Sequence, residues 1–204
     1  QLPNVGIGAP QEMYTFEDKG KRSITLKPEG TAGAVRCFLE HNLYAEPLPC
    51  KMYYLNSPIF RYENPQSGRL REHHQFGMEC FGAKEATVDA ELILLAYHLL
   101  QDLGIGNLSV EINSIGCPKC RPVYHTRLKE FLSDRMDKLC VTCRERFDRN
   151  PLRVLDCKER TCQELTKDAP SMLDLLCDEC REHFEQLKAC LDQAGIPYRV
   201  NARI

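Results

Sequence analysis

The first third of the chain alternates short apolar runs with polar breaks. Met13–Phe16 and Ser23–Leu26 are β-prone and joined by Glu17-Asp18-Lys19-Gly20-Lys21, which predicts a hairpin. After Lys27-Pro28-Glu29-Gly30, Thr31 reads as an N-cap. The spacing of Ala34, Val35, Phe38 and Leu39 then predicts an amphipathic helix ending near His41. Tyr53–Leu55 and Ile59–Glu63 read as strand, Asn64–Arg69 as a loop, and Arg71–Phe81 as the returning strand. Ala86–Leu103 carries apolar residues at helical spacing with Gly104 as its stop, and Leu108–Asn113 is another strand. Beyond Ser114-Ile115-Gly116 the pattern predicts helices at Val123–Leu139 and Glu179–Ala194, a polar middle around Arg149-Asn150-Pro151, and a strand at Tyr198–Asn201. Strands arrive as antiparallel hairpins, without strand–helix–strand repeats opened by a Gly-rich turn. The expected class is therefore α+β with an antiparallel sheet, and a Rossmann-type nucleotide fold is disfavoured.

Period-two geometry sharpens the hairpin. Arg61 and Glu63 share one face of the first strand. On the second, Arg71, His73, Gln75, Gly77 and Glu79 share a face, and His74, Phe76, Met78 and Cys80 share the other. One side is expected to be apolar and packed, with His74 a core histidine. The other gathers arginines, carboxylates, a histidine and an amide, whereas a solvated strand face favours Lys, Thr and Glu. Guanidinium groups flanking a Gly/Pro loop suit a polyphosphate, and Gly77 leaves room for a ligand beside Gln75 and Glu79.

Charge adds little: 27 Lys+Arg stand against 29 Asp+Glu, so no basic excess announces nucleic acid. No apolar run reaches the length of a membrane span and Gln1 onward does not read as a signal peptide; a cytoplasmic protein without a membrane partner is expected. Cysteine changes the picture. Of 12 cysteines, only Cys37, Cys50 and Cys80 precede residue 117; these three and Cys190 read as small hydrophobes. Cys117-Pro118-Lys119-Cys120 and Cys140-Val141-Thr142-Cys143 have zinc-site spacing, and Cys157, Cys162, Cys177 and Cys180 supply four further thiols. Sequential and crossed pairings both use all eight. Disulfides are the alternative, disfavoured by the compartment.

The hairpin carries a resemblance. Phe60-Arg61-x-Glu63, a loop, then Arg69 and Arg71 resemble the signature hairpin of class II aminoacyl-tRNA synthetases. Arg71-Glu72-His73-His74-Gln75-Phe76-Gly77-Met78-Glu79 is similar to the version in bacterial histidyl-tRNA synthetases, and Leu26-Lys27-Pro28-Glu29-Gly30-Thr31 to a second motif of that family. Asn113-Ser114-Ile115-Gly116, Asn150-Pro151-Leu152-Arg153-Val154-Leu155-Asp156 and Asp168-Ala169-Pro170 match in the family's order, so the resemblance runs from about Met13 to Asn201.

It implies a partial class II catalytic core over 1–116, with helices flanking an antiparallel sheet. A small, mostly helical, Cys-rich insertion domain over 117–194 and a return strand over 195–204 would follow. The implied activity is that of a histidine–tRNA ligase, which activates histidine with ATP and Mg2+ and transfers it to histidine tRNA as a homodimer. Arg61 would be the catalytic residue, gripping the α-phosphate and the attacking histidine carboxylate. Glu63, Arg69 and Arg71 would bind ATP, with His73 where the family usually stacks a Phe on adenine. Glu29, Thr31 and Gln75 would hold the main-chain groups of histidine, and Glu79 its imidazole N–H, a hydrogen bond that excludes apolar isosteres. Zinc on Cys117, Cys120, Cys140, Cys143, Cys157, Cys162, Cys177 and Cys180 would support the insertion. The family's dimerisation motif is not matched by Gln1–Gln11, and its further catalytic segments lie past Ile204, so these 204 residues alone are expected not to aminoacylate. A synthetase-like regulatory subunit of ATP phosphoribosyltransferase is the rival reading, and its relatives lack the long insertion. A zinc-ribbon nucleic-acid module leaves Glu29, Arg61 and Glu79 unexplained.

Overall fold

The computed structural model describes residues 13–62, 65, 67–68 and 70–203, the side chains of Asn56 and Arg149 excepted. Packing divides the chain into two units, Gln1–Lys84 and Glu85–Ile204.

In the first unit, β1 (Thr15–Glu17) and β2 (Ser23–Thr25) pair antiparallel as the sequence predicts. Asp18 makes the turn: its Oδ1 accepts from the N–H groups of Gly20 and Arg22 at 2.8 and 2.9 Å, the side-chain alternative to a backbone turn. Helix α1 (Thr31–Glu40) follows, and Phe38 stacks on Phe81 at 4.5 Å between centroids. Thr31 is not its N-cap. Gly30 holds that position, and the carboxylate of Glu29 takes the capping role by accepting from Ala32 N–H at 2.6 Å. The long strands β3 (Cys50–Phe60) and β4 (Glu72–Phe81) form an antiparallel pair. The register skips between Tyr54 and Ser57, a bulge placing two residues of β3, Leu55 and Asn56, against one of β4, Phe76. The pattern thus predicts two strands where one bulged strand runs.

The faces of β4 separate as period two demands over Glu72–Gly77, but there the burial is reversed, and from Gly77 on both faces are half-buried. His73, Gln75 and Gly77 are half-buried, while His74 and Phe76 are exposed, so His74 is not a core histidine. Alternation says which side chains share a face; it does not say which face is covered.

The second unit has two cores. Helix α2 (Ala86–Asp102) packs on α7 (Asp178–Gln193), and Ala86 and Ala90 meet Phe184, Leu187 and Leu191 there. His183 and Asp89 join the two helices at 2.8 Å. Strands β5 (Val110–Ile112) and β6 (Tyr198–Val200) pair parallel, where hairpins alone were expected, because everything from Asn113 to Pro197 serves as the crossover. On α3 (Cys120–Ser133), Cys120, Tyr124, Leu128 and Leu132 form one buried stripe, the four-residue repeat of a helix face. The polar middle is itself folded, as α4 (Val141–Arg149), α5 (Leu152–Leu155), α6 (Arg160–Leu165) and a 3-10 turn at Met172–Leu175. Cys143, Val154 and Cys162 fill its centre, so this core is built substantially from sulfur. The α+β class holds: helices and two antiparallel pairs, with one parallel pair closing the second unit.

Candidate functional site

Two side chains distant in sequence, and one from within the segment itself, converge on residues 28–32. Arg61 Nε donates to Pro28 O at 2.8 Å, Gln75 Oε1 accepts from Gly30 N–H at 3.0 Å, and Glu29 turns back on Ala32 N–H. Phe60 N–H donates to Lys27 O at 2.9 Å and fixes the segment against the end of β3. The Lys27 ammonium donates to Ser57 Oγ just past the bulge. Glu29 is only 6 % exposed. Burying a carboxylate is costly, and the amide at the start of α1 offsets part of that cost.

Gly77 does not leave an open gap. Tyr54, its register partner, lays its ring against it: a Cβ on Gly77 would lie 2.0 Å from Tyr54 Cζ. The same ring covers Gly30, where a Cβ would come within 2.3 Å of Cε2. Both glycines are required by this ring, the aromatic cover that a strand glycine commonly takes. Beside it opens a depression of about 210 Å³ bordered by Lys27, Gly30, Met52, Tyr54 and Ser57.

Of the other predicted site residues, Thr31 is half-buried in the first turn of α1, and Glu79 is half-buried opposite Met52. Glu79 shares a strand face with Gln75 and stands four residues away, ~13 Å along the strand. His73 is half-buried opposite Ile59. The guanidinium of Arg71 lies 4.7 Å from the ring centre of Tyr62, and its carbonyl accepts from Arg61 N–H at 2.8 Å. Glu63 and Arg69 lie outside the described residues. Lys27, Tyr54 and Tyr62 were not singled out from the sequence. A tyrosine opposite a strand glycine is a usable signal for Tyr54, but only once the bulge has set the register.

In the second unit, two of the quoted segments meet around a cleft of about 320 Å³. Asn113–Ile115 and Leu152, Leu155 and Asp156 line it, with Arg121 and Arg203. Arg203 Nη2 also donates to Thr166 O at 2.6 Å, two residues before Asp168-Ala169-Pro170.

The eight module cysteines gather into two groups. Cys117, Cys120, Cys177 and Cys180 form one, Cys140, Cys143, Cys157 and Cys162 the other, and within each group all sulfurs lie within 4.8 Å. The fold therefore builds neither the sequential nor the crossed pairing: the first and last pairs join, and the two middle ones are nested between them. Amides of Cys120 and Lys119 aimed at Cys117 hold its thiol down to about 6, while burial pushes Cys180 up to about 12. Burial likewise raises Cys143 and Cys162.

Residues 14–154 match the family model of the tRNA synthetase class II core domain (G, H, P, S and T). The chain is 60 % identical over 191 residues to a histidine–tRNA ligase of Clostridium botulinum (strain Loch Maree / Type A3), covering 94 % of this chain and 46 % of that protein. Among solved structures, apo histidyl-tRNA synthetase of S. aureus superposes with a TM-score of 0.73 at 38 % identity, over 93 % of this chain and 44 % of that one. A Bacillus halodurans protein described as an ATP phosphoribosyltransferase regulatory subunit/histidyl-tRNA synthetase matches with a TM-score of 0.63. At 18 % identity, over 98 % of this chain and 55 % of that one, it speaks for the fold alone. The chain spans about half the length of the curated relatives it matches. No described helix is long and apolar enough to cross a membrane. Because the family match runs through the bulged hairpin and on into the cysteine-rich stretch, the chain belongs to the class II tRNA synthetase core-domain family.

Proposed function

We propose that the chain is the part of a cytoplasmic, homodimeric histidine–tRNA ligase that binds ATP and histidine, joins them as histidyl-adenylate, and serves transfer to histidine tRNA. The observation that carries this reading is the meeting of Glu29, Arg61 and Gln75 on residues 28–32. It puts a buried carboxylate, a guanidinium and an amide against one short segment, the set that an α-amino acid and a phosphate require. The high identity to the clostridial ligase supports the ligase over a regulatory subunit, for which only the low-identity likeness speaks.

In this reading Glu29 and Thr31 receive the α-ammonium, Gln75 the remaining main-chain groups, and Glu79 the imidazole N–H. Arg61, oriented by its bond to Pro28 O, offers its terminal nitrogens to the α-phosphate and stabilises the charge that grows there as the histidine carboxylate attacks. Pyrophosphate leaves. Glu63, Arg69, Arg71 and His73 hold the rest of ATP, and magnesium arrives with the triphosphate. Much of the rate comes from alignment, so residues that only orient the pocket affect it.

The test is histidine-dependent exchange of pyrophosphate into ATP by the full-length protein that contains this chain. Arg61→Ala should slow exchange by about 10²–10³-fold, the size of losing one charge-stabilising donor. Glu79→Gln should raise KM for histidine while leaving that for ATP unchanged. Exchange driven equally by other amino acids, or indifferent to histidine, would remove the assignment.

A further inference from the structure

We infer that the cysteine module holds two zinc ions in nested, closed four-thiolate sites: Cys117, Cys120, Cys177 and Cys180 in an outer site, and Cys140, Cys143, Cys157 and Cys162 inside it. The proposal is independent of the ligase reading, since it rests on the eight module cysteines and none of the residues assigned to histidine or ATP.

The sulfur geometry is the first support. Four thiolates placed tetrahedrally about zinc at ~2.3 Å stand ~3.8 Å from one another. Cys117 lies 3.6 Å from Cys120 and 3.8 Å from Cys177, and Cys140 lies 3.9 Å from Cys157. A disulfide needs about 2.05 Å, and all 12 cysteines are free. A four-iron cluster would hold its cysteines around a body of iron and sulfide, wider apart than the 4.8 Å limit these groups satisfy.

The backbone around the sulfurs is the second. Lys119 N–H points at Cys117 Sγ at 3.3 Å, Cys140 N–H at Cys162 Sγ at 3.3 Å, and Cys177 N–H at Cys120 Sγ at 3.1 Å. Thiolates bound to a metal take such N–H bonds, which orient them and spread their charge. Helices also begin at both groups. Cys120 opens α3, Cys140 caps α4 and Cys177 caps α7. A zinc with four thiolates keeps a net charge of −2, and a helix N-terminus is where a negative charge is stabilised. Packing alone asks for neither feature.

Each ion has four protein ligands and no position for water, so the sites are structural. The outer one ties the start of α3 to the start of α7. The inner one folds the short helices α4 and α6 around an ion, in a stretch too polar to order itself by apolar burial.

The test uses the 204-residue chain purified without chelator. Native mass spectrometry and elemental analysis should find two zinc per chain, with eight of the 12 cysteines shielded from alkylation until chelation. On partial chelation, alkylation mapped by peptide should appear in the two sets of four named above. The double variant C117S/C177S should keep one zinc and C117S/C140S none. The reverse pattern would replace nesting with sequential pairing. Should the variants not fold, the alkylation sets of the unaltered chain decide the pairing by themselves. Iron in place of zinc, or no metal with all eight thiols reactive, overturns the proposal.

Discussion

The two units keep their important side chains for different purposes. Among the described residues 13–84, only Glu29, Gly30 and Ile59 are buried, and one of these is a carboxylate that belongs to the candidate site. In the second unit the described buried positions are almost all apolar side chains and cysteines, Thr166 among the exceptions, and none of the cysteines has a part in the proposed chemistry. In the hairpin unit the groups that would meet substrate are the same groups that fasten residues 27–32 to the strands. Substitutions there mix stability with activity. In the cysteine unit the two separate, and a loss of order need not be a loss of chemistry.

The strongest way to break that contrast is to strip the metal. Chelation should speed amide hydrogen exchange in α3, α4 and α6 by about 10³-fold or more, because metal affinity in such a module is folding energy. Amides of the β3–β4 pair should keep their rates. Equal acceleration in both units would show that they share one stability. A smaller effect is expected from Gly77→Ala, whose new methyl meets the Tyr54 ring at 2.0 Å. Overpacking of this kind costs about 1–3 kcal/mol, read from denaturant unfolding of the hairpin unit. Tyr54→Ala added to it should recover part of the loss, whereas simple additivity would place the strain elsewhere. The smallest effect concerns Glu111, whose carboxyl is held below the ordinary glutamate range by Asn201 and Arg199. Because its folded value is depressed, its contribution is full at neutral pH and fades as pH falls through that value. Acid should therefore loosen β5–β6 slightly more in the native chain than in Glu111→Gln, measured by exchange at their amides. Identical acid responses would make this pair decorative.

Legibility followed the range of each interaction. Helix α2 was readable nearly to its last residue, since its spacing and the stop at Gly104 are local. So was the polar face of β4, because alternation is a property of one strand. Its burial was not, since cover comes from elsewhere in the chain. The place of Tyr54 depends on a cross-strand register that the bulge shifts by one, and no local pattern announces a bulge at Leu55-Asn56. Cysteine spacing identified the eight thiols but left their grouping open, because the choice turns on how α3 and α7 begin side by side, 60 residues apart. The parallel pairing of β5 with β6 was invisible for the same reason.

That parallel pair sets a problem of order in folding. Glu111 and Arg199 are 88 residues apart, and the strands cannot meet until the chain between them has been brought round. The sulfur clamp changes the length of that search. With Cys117 and Cys177 held together, 60 of those residues drop out of the loop and about 28 remain. Loop-closure entropy grows with the logarithm of length, so the clamp lowers the cost of joining the strands by about 1 kcal/mol. The module would then act as a bookmark in the chain: once the outer group has closed, the host strands on either side find each other almost as neighbours.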